Sequence, residues 1–165
     1  MKSKTEEKKI MDKIDIILLD YKYMPQKKHT DDAGFDVKAR RIVEVNNKIE
    51  TDMYVTNNEV TLWPDKLIKI YLGFKLDIPS HLWCLLAPRS GHFFNWAMHY
   101  GVIDPGFQGE ACALVQVKNE PFVVTIGDRI GQLVFIPKPK IMLNVVPRFK
   151  ESERGESGFG STGVK

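Results

Sequence analysis

VTLWPDKLIKIYLGFKLDIPSHLWCLLAP, residues 60–88, decides the fold class. Pro64, Pro79 and Pro88 cut this stretch into the runs VTLW, LIKIYLGFKLDI and HLWCLLAP. Helical spacing is not sustained over any long window, so short apolar runs between proline stops read as strands. Gly73 lies inside the second run, where a residue without a Cβ predicts a bulge or a bend between two strands.

The same pattern continues outward in both directions. ACALVQVKN, PFVVTI, DRIGQLVFI and KIMLNVV are further strand-like runs with Asn, Pro and Gly between them. Upstream, Ile14 to Leu19 forms a short strand-like run ending at Asp20, and the polar stretch from Tyr21 to Asp32, with Pro25 inside it, is a loop. In DAGFDVKA (32–39), Phe35, Val37 and Ala39 alternate with Asp36 and Lys38, which predicts a half-buried strand. Residues 40–59 contain two Asn-Asn pairs between short apolar runs; asparagine tolerates left-handed backbone, so this segment reads as an extra hairpin. Ser90–Met98, short and aromatic with Ser90 able to cap it, is the one helix candidate. About ten short strands at close spacing predict an all-β barrel or sandwich.

Composition sets the outer bounds. A chain of 165 residues with 43% hydrophobic and 27% charged residues fits one globular domain. No apolar run reaches the ~20 residues that cross a bilayer, so no membrane association is expected. The charged start MKSKTEEKKIMDK lacks a signal-type apolar core, and Cys84 and Cys112 form no C-x-x-C pair. These features point to a reducing compartment, with cytoplasm as the default, or host cytoplasm for a viral protein. A net charge of +3 without a basic, aromatic-studded stripe gives no nucleic-acid face and leaves room for a small phosphorylated ligand. His92 and His99 lack further ligands at metal spacing and make a weak metal case.

The chemistry concentrates in GVIDPGFQGE, residues 101–110. Proline pre-sets the first central residue of a β-turn and glycine accepts positive φ at the second, so Asp104-Pro105-Gly106-Phe107 is a tight turn that holds one carboxylate. Asp104 could act as a general base, a metal ligand or an acceptor capping its own turn, and in isolation the last is the plainest reading. The C-terminal RGESGFGSTGVK, from Arg154, cannot bury a core of its own. Its glycines, hydroxyls and arginine nevertheless suit an anion, and Phe159 suits stacking on a base.

In order along the chain, DAGFDVKA, APRSG (87–91), GVIDPGFQGE, GDRIGQLVF (127–135) and RGESGFGSTG (154–163) closely resemble the five motifs of the dUTP pyrophosphatase (dUTPase) family. The resemblance implies an all-β, β-clip or jelly-roll-like distorted barrel with one short helix. It implies a single domain at 1–149 and a flexible glycine-rich arm at 150–165. It also implies a homotrimer with active sites at subunit interfaces, each closed by a neighbour's arm, and hydrolysis of dUTP to dUMP and pyrophosphate.

Carried over motif by motif, the resemblance makes Asp104 the general base for the attacking water, with Mg²⁺ on the triphosphate and Asp36 touching the metal through water. Arg89, Ser90, Gly91 and Gln132 would hold phosphate oxygens. The backbone of Gly101, Val102 and Ile103 would read uracil, and Phe107, where tyrosine is more usual, would pack on the deoxyribose. Arg154, Ser161 and Thr162 with Gly160 would grip the outer phosphates while Phe159 covers the base. Residues 40–59 look like an insertion in this frame, a candidate surface for a protein partner. The related dCTP deaminases need a glutamate ten residues beyond the aspartate, where this chain has Leu114.

Overall fold

The computed structural model describes residues 12–92, 95–152 and 155. Its strands are β1 (Asp15–Leu18), β2 (Phe35–Lys38), β3 (Arg41–Asn46), β4 (Ile49–Asp52), β5 (Glu59–Leu62), β6 (Leu67–Tyr71), β7 (Phe74–Asp77), β8 (Leu82–Pro88), β9 (Trp96–Met98), β10 (Gly101–Ile103), β11 (Cys112–Val117), β12 (Phe122–Thr125) and β13 (Arg129–Pro137). They form a four-stranded sheet in the order β10-β8-β13-β2 and a five-stranded sheet in the order β4-β3-β6-β11-β9. Two pairs, β1-β7 and β12-β5, complete the architecture. Every pairing is antiparallel. No helix among the described residues is long and apolar enough to cross a membrane.

All four sheets feed one core, in which Val37, Leu62, Ile68, Ile70, Phe74, Leu86 and Leu133 are fully or almost fully buried. Strand alternation explains the selection: in β6, Ile68 and Ile70 point inward while Leu67, Lys69 and Tyr71 stay half-exposed. Each such aliphatic or aromatic side chain contributes about 1.5–3 kcal/mol on burial.

The hairpin expected within 40–59 is present as β3 and β4. Asn47 and Lys48 at its tip both have positive φ (49° and 68°), as a two-residue turn of this twist requires. Asn57 and Asn58 form a second turn of the same kind. β3 is nevertheless part of the main sheet, paired to β6 and contributing Ile42 and Val43 to the core. Only β4 is exposed along its whole length.

Three readings need correction. Ser90–Met98 is not a helix: a single 3-10 turn spans Ser90–His92, and Trp96–Met98 is strand β9 on the edge of β11. Trp96 and Met98 are buried and Ala97 is exposed, a period of two. A nine-residue helix would have to bear a costly nucleus, whereas the free edge of β11 offers ready-made hydrogen bonds. KIMLNVV is not a strand, because no neighbour among the described residues pairs with it; Leu143 and Val145 are 91% and 97% exposed. The loop Tyr21–Asp32 contains a 3-10 turn at Tyr21–Tyr23, capped where Asp20 Oδ1 accepts the Lys22 N–H at 3.0 Å.

Gly73 makes the expected bend between β6 and β7, with φ of +82°. A Cβ there would lie 2.8 Å from the buried Tyr23 ring, so glycine is required both by the backbone and by the close approach. Gly73→Ala is expected to destabilise the protein by about 2–3 kcal/mol, measured as a lower urea midpoint; an unchanged midpoint would contradict this role of the bend.

Candidate active site

Strand β8 is paired on both edges, and the candidate residues are distributed along it. On one flank, Gly131 and Gln132 of β13 face Pro88 and Ala87. The chain leaving β8 turns at once, with the His92 N–H donating to the Arg89 carbonyl at 3.1 Å. This brings Arg89, Ser90, His92, Tyr100, Lys118 and Gln132 around a cleft of about 470 Å³. Gly91 is exposed beside them. The Gln132 amide donates to the Pro88 carbonyl at 3.2 Å. Gly34 of the DAGFDVKA block makes room for that amide, since a Cβ there would lie 2.5 Å from Gln132 Oε1.

Asp36, on β2 beside β13, binds two guanidinium groups. Its Oδ1 lies 2.8 Å from Arg89 Nε and its Oδ2 lies 3.0 Å from Arg129 Nη1. The carbonyl of Arg129 in turn accepts from His92 Nε2 at 2.8 Å and from Arg89 Nη1 at 3.4 Å. Both oxygens of Asp36 are thus occupied, and among the described residues no three His, Cys, Asp or Glu side chains cluster as a metal cage. Burial pushes the Cys84 thiol up to about 12 and raises that of Cys112 as well.

On the other flank of β8, Gly101 and Ile103 of β10 face Leu86 and Cys84. Asp104 opens the turn that follows, in which Gly106 has φ of +85° and the Phe107 N–H donates to the Asp104 carbonyl at 3.2 Å. The backbone oxygen, not the side chain, closes the turn. The Asp104 carboxylate is exposed and makes no hydrogen bond or ion pair with any described residue. The turn-capping role suggested by the isolated motif is therefore not its role in the fold. Phe107 folds back over Gly109, where a Cβ would lie 2.5 Å from its ring, and remains 49% exposed. Val102 projects outward beside it.

The far end of this loop is anchored by Glu110. Its carboxylate accepts from Arg40 Nε at 2.9 Å, from Arg40 Nη2 at 2.8 Å and from the Gly73 N–H at 2.9 Å. The bend at Gly73 and the loop carrying Asp104 are thereby held to one another.

Ile103 and Gln132 face positions of β8 three residues apart, on opposite edges. With about 3.3 Å of rise per residue and about 4.8 Å between strands, they lie roughly 14 Å apart. One chain therefore gathers Arg89, Ser90, Gly91, Gln132 and Asp36 near Tyr100, the residue before Gly101, and sets Ile103 and the turn that follows it at Asp104 apart from them. Arg154, Phe159, Gly160, Ser161 and Thr162 lie outside the described residues. Sequence reasoning missed Arg129, Arg40 and Glu110. Arg129 sits inside the GDRIGQ block and Glu110 ends GVIDPGFQGE, but only the fold reveals their partners.

Comparison with known proteins now bears on this arrangement. The family model for dUTPase matches residues 51–163. The chain belongs to the dUTPase family. Its relatives include the deoxyuridine 5'-triphosphate nucleotidohydrolase of Haemophilus influenzae (strain PittEE), 32% identical over 163 residues that cover 93% of this chain and 99% of that protein. The enzyme of the same name from Pasteurella multocida (strain Pm70) is 34% identical, with the same coverage of 93% and 99%. Among solved structures, the dUTPase of Staphylococcus bacteriophage 80alpha with dUPNHPP superposes with a TM-score of 0.73 at 25% identity, covering 93% of this chain and all of that one. The dUTPases are hydrolases, and the nearly all-β fold described above is theirs.

The Arg40–Glu110 pair is 28% and 15% exposed, whereas the Arg41–Asp52 pair is 41% and 67% exposed. Arg40→Leu leaves a shielded carboxylate without its cation and is expected to cost about 2 kcal/mol. Arg41→Leu is expected to cost under about 1 kcal/mol. Urea unfolding of both variants checks the order, and equal losses would contradict it.

Proposed function

We propose that this dUTPase hydrolyses dUTP to dUMP and pyrophosphate with Asp104 as general base. The observation that carries this reading is the exposed Asp104 carboxylate, fixed by the Pro105-Gly106 turn and not engaged by any described residue. A positioned base needs that freedom to bind a water. In the reaction, the water oxygen forms a bond to the α-phosphorus as the bond to the β-phosphate bridging oxygen breaks. One water proton passes to Asp104 and pyrophosphate leaves with the electron pair.

The remaining roles follow from charge and shape. The triphosphate repels an incoming nucleophile, so catalysis depends on neutralising its charge and fixing the water. Arg89, Ser90, Gly91 and Gln132 bind phosphate oxygens, and Asp36 orients Arg89 from behind while remaining able to touch the metal through water. Magnesium arrives on the triphosphate as part of the substrate. The Gly101–Ile103 backbone reads uracil, and Phe107 packs on the deoxyribose. Arg154, Phe159, Gly160, Ser161 and Thr162 close the site from the arm. The product serves as dUMP for thymidylate synthesis, and removal of dUTP keeps uracil out of DNA in the cytoplasm.

The separation across β8 supports a homotrimer whose sites combine the Asp104 flank of one copy with the Ser90–Gln132 cleft of the next. Two further features support assembly. The extended segment after β13 exposes Ile141, Met142, Leu143 and Val145, with nothing among the described residues to cover them. A largely apolar cavity of about 540 Å³, lined by Ile14, Ile16, Phe35, Leu133 and Phe135 with Asp12 and Lys27 among its lining residues, is larger than the cleft beside Ser90. Such surfaces suit a second copy of the chain. Exposed β4 and Tyr54 leave residues 40–59 available to a protein partner outside this chemistry.

Pyrophosphate release from dUTP, but not from dTTP, dCTP or UTP, is the expected activity. Asp104→Asn should lower turnover by about 10² to 10⁴ while the Kd for dUTP stays close to that of the parent chain. A folded parent chain that releases no pyrophosphate from dUTP would refute the reading.

A further inference from the structure

We propose that His92 is a positioning residue of the triphosphate cleft: its Nε2–H holds the Arg129 carbonyl and, through it, sets the Arg89–Asp36–Arg129 cluster for gripping phosphate. The inference rests on the hydrolase reading of this cleft and goes beyond it, because His92 belongs to none of the roles assigned above.

The geometry begins at the irregularity in β13. The ladder with β2 pairs Arg129 with Lys38 and Gly131 with Val37, so regular pairing is interrupted at Ile130, immediately after the Arg129 carbonyl. A bulge of this kind re-aims side chains and leaves backbone groups to be satisfied by other means. Here the Arg129 carbonyl is taken by the turn that follows β8, through His92 Nε2 at 2.8 Å and Arg89 Nη1 at 3.4 Å. A carbonyl only accepts, so Nε2 carries the hydrogen and fixes the tautomer. The result is a closed loop of contacts. Arg89 and Arg129 share Asp36 through their guanidinium groups, and the backbone of Arg129 is tied back to Arg89 and His92. Ser90 and Gly91 lie between the residues that make those ties.

The other ring nitrogen explains why packing alone does not account for a histidine here. His92 stacks on Trp96 with centroids 4.6 Å apart and meets Phe122 edge-on at 6.1 Å. Yet His92 Nδ1 is buried without a hydrogen-bond partner. An apolar ring would fill the same space with nothing left unpaired, and buried unpaired polar atoms call for a reason. The donor at the opposite ring edge supplies it. His92 brings that donor on a ring that also packs against Trp96 and Phe122.

The test separates the donor from the ring. His92→Phe keeps the aromatic packing and loses the N–H; His92→Gln keeps a donor amide at similar reach. His92→Phe is expected to raise both KM for dUTP and Kd for inorganic pyrophosphate about five- to tenfold, with KM rising more than kcat falls. His92→Gln should return both values to within about twofold of the parent chain. Should His92→Phe not fold, His92→Met removes the donor with a flexible apolar side chain instead. Unchanged KM and Kd in the donor-less variant would overturn the proposal, as would equal impairment in His92→Gln, which would assign the effect to ring packing. A parent chain inactive toward dUTP would instead sink the hydrolase reading, and pyrophosphate binding across the variants would still decide the role of His92.

Discussion

The constraint on which this molecule depends is the double pairing of β8. Held between β10 and β13, the strand cannot slip by one residue without turning Leu86 and Cys84 out of the core, because side-chain direction alternates along it. That register fixes what leaves each end. The Pro88 end delivers Arg89 and Ser90 beside Gln132, and the Cys84 end aligns Ile103 and so launches the turn carrying Asp104. A strand of this length separates Ser90 and Gln132 from Asp104 by more than hydrogen-bond reach. Under the shared-site reading, assembly of several copies closes that gap.

Charge is used differently on the two main sheets. On the outer face of the five-stranded sheet, Arg41–Asp52, Lys66–Glu44 and Lys69–Glu50 form an exposed ladder. Hydrogen bonds from Lys69 and Tyr71 hold the Glu50 carboxylate below its usual range, but screening leaves such exposed pairs little net weight. The pairs near the site are better shielded and geometrically demanding. Glu110 binds Arg40 through both carboxylate oxygens and also accepts from Gly73, and Asp36 divides its oxygens between two arginines. Their contribution is to position: one anchors the loop bearing Asp104, the other holds Arg89, which lines the cleft, to Arg129 across Asp36.

Much of this was legible in the sequence, and the gaps have physical causes. Proline-bounded apolar runs marked nearly every strand, and Gly73, the Asn pairs and Asp104-Pro105-Gly106-Phe107 marked turns because each local backbone demand selects its own residue. Ser90–Met98 misled because a short aromatic run fits helix and strand alike, and the free edge of β11 decided between them. KIMLNVV misled for the opposite reason: strand propensity cannot supply a partner that the described residues lack. The network around Arg129 was invisible because it joins Asp36, Arg89, His92 and a bulge carbonyl, groups scattered over the chain that only the sheet order brings together. Motif order identified the family, while the distance between Asp104 and the Ser90–Gln132 cleft across β8 required register.

Subunit complementation tests the central claim most directly. Asp104→Asn and the double variant Ser90→Ala/Gln132→Ala disable opposite flanks of β8, and each should be inactive alone toward dUTP. Unfolded together in equal amounts and refolded, they should recover about a quarter of the parent rate, since random assembly pairs two intact flanks at that frequency. A mixture that co-assembles yet stays as inactive as its components would show that each site is built within one chain, contrary to this account.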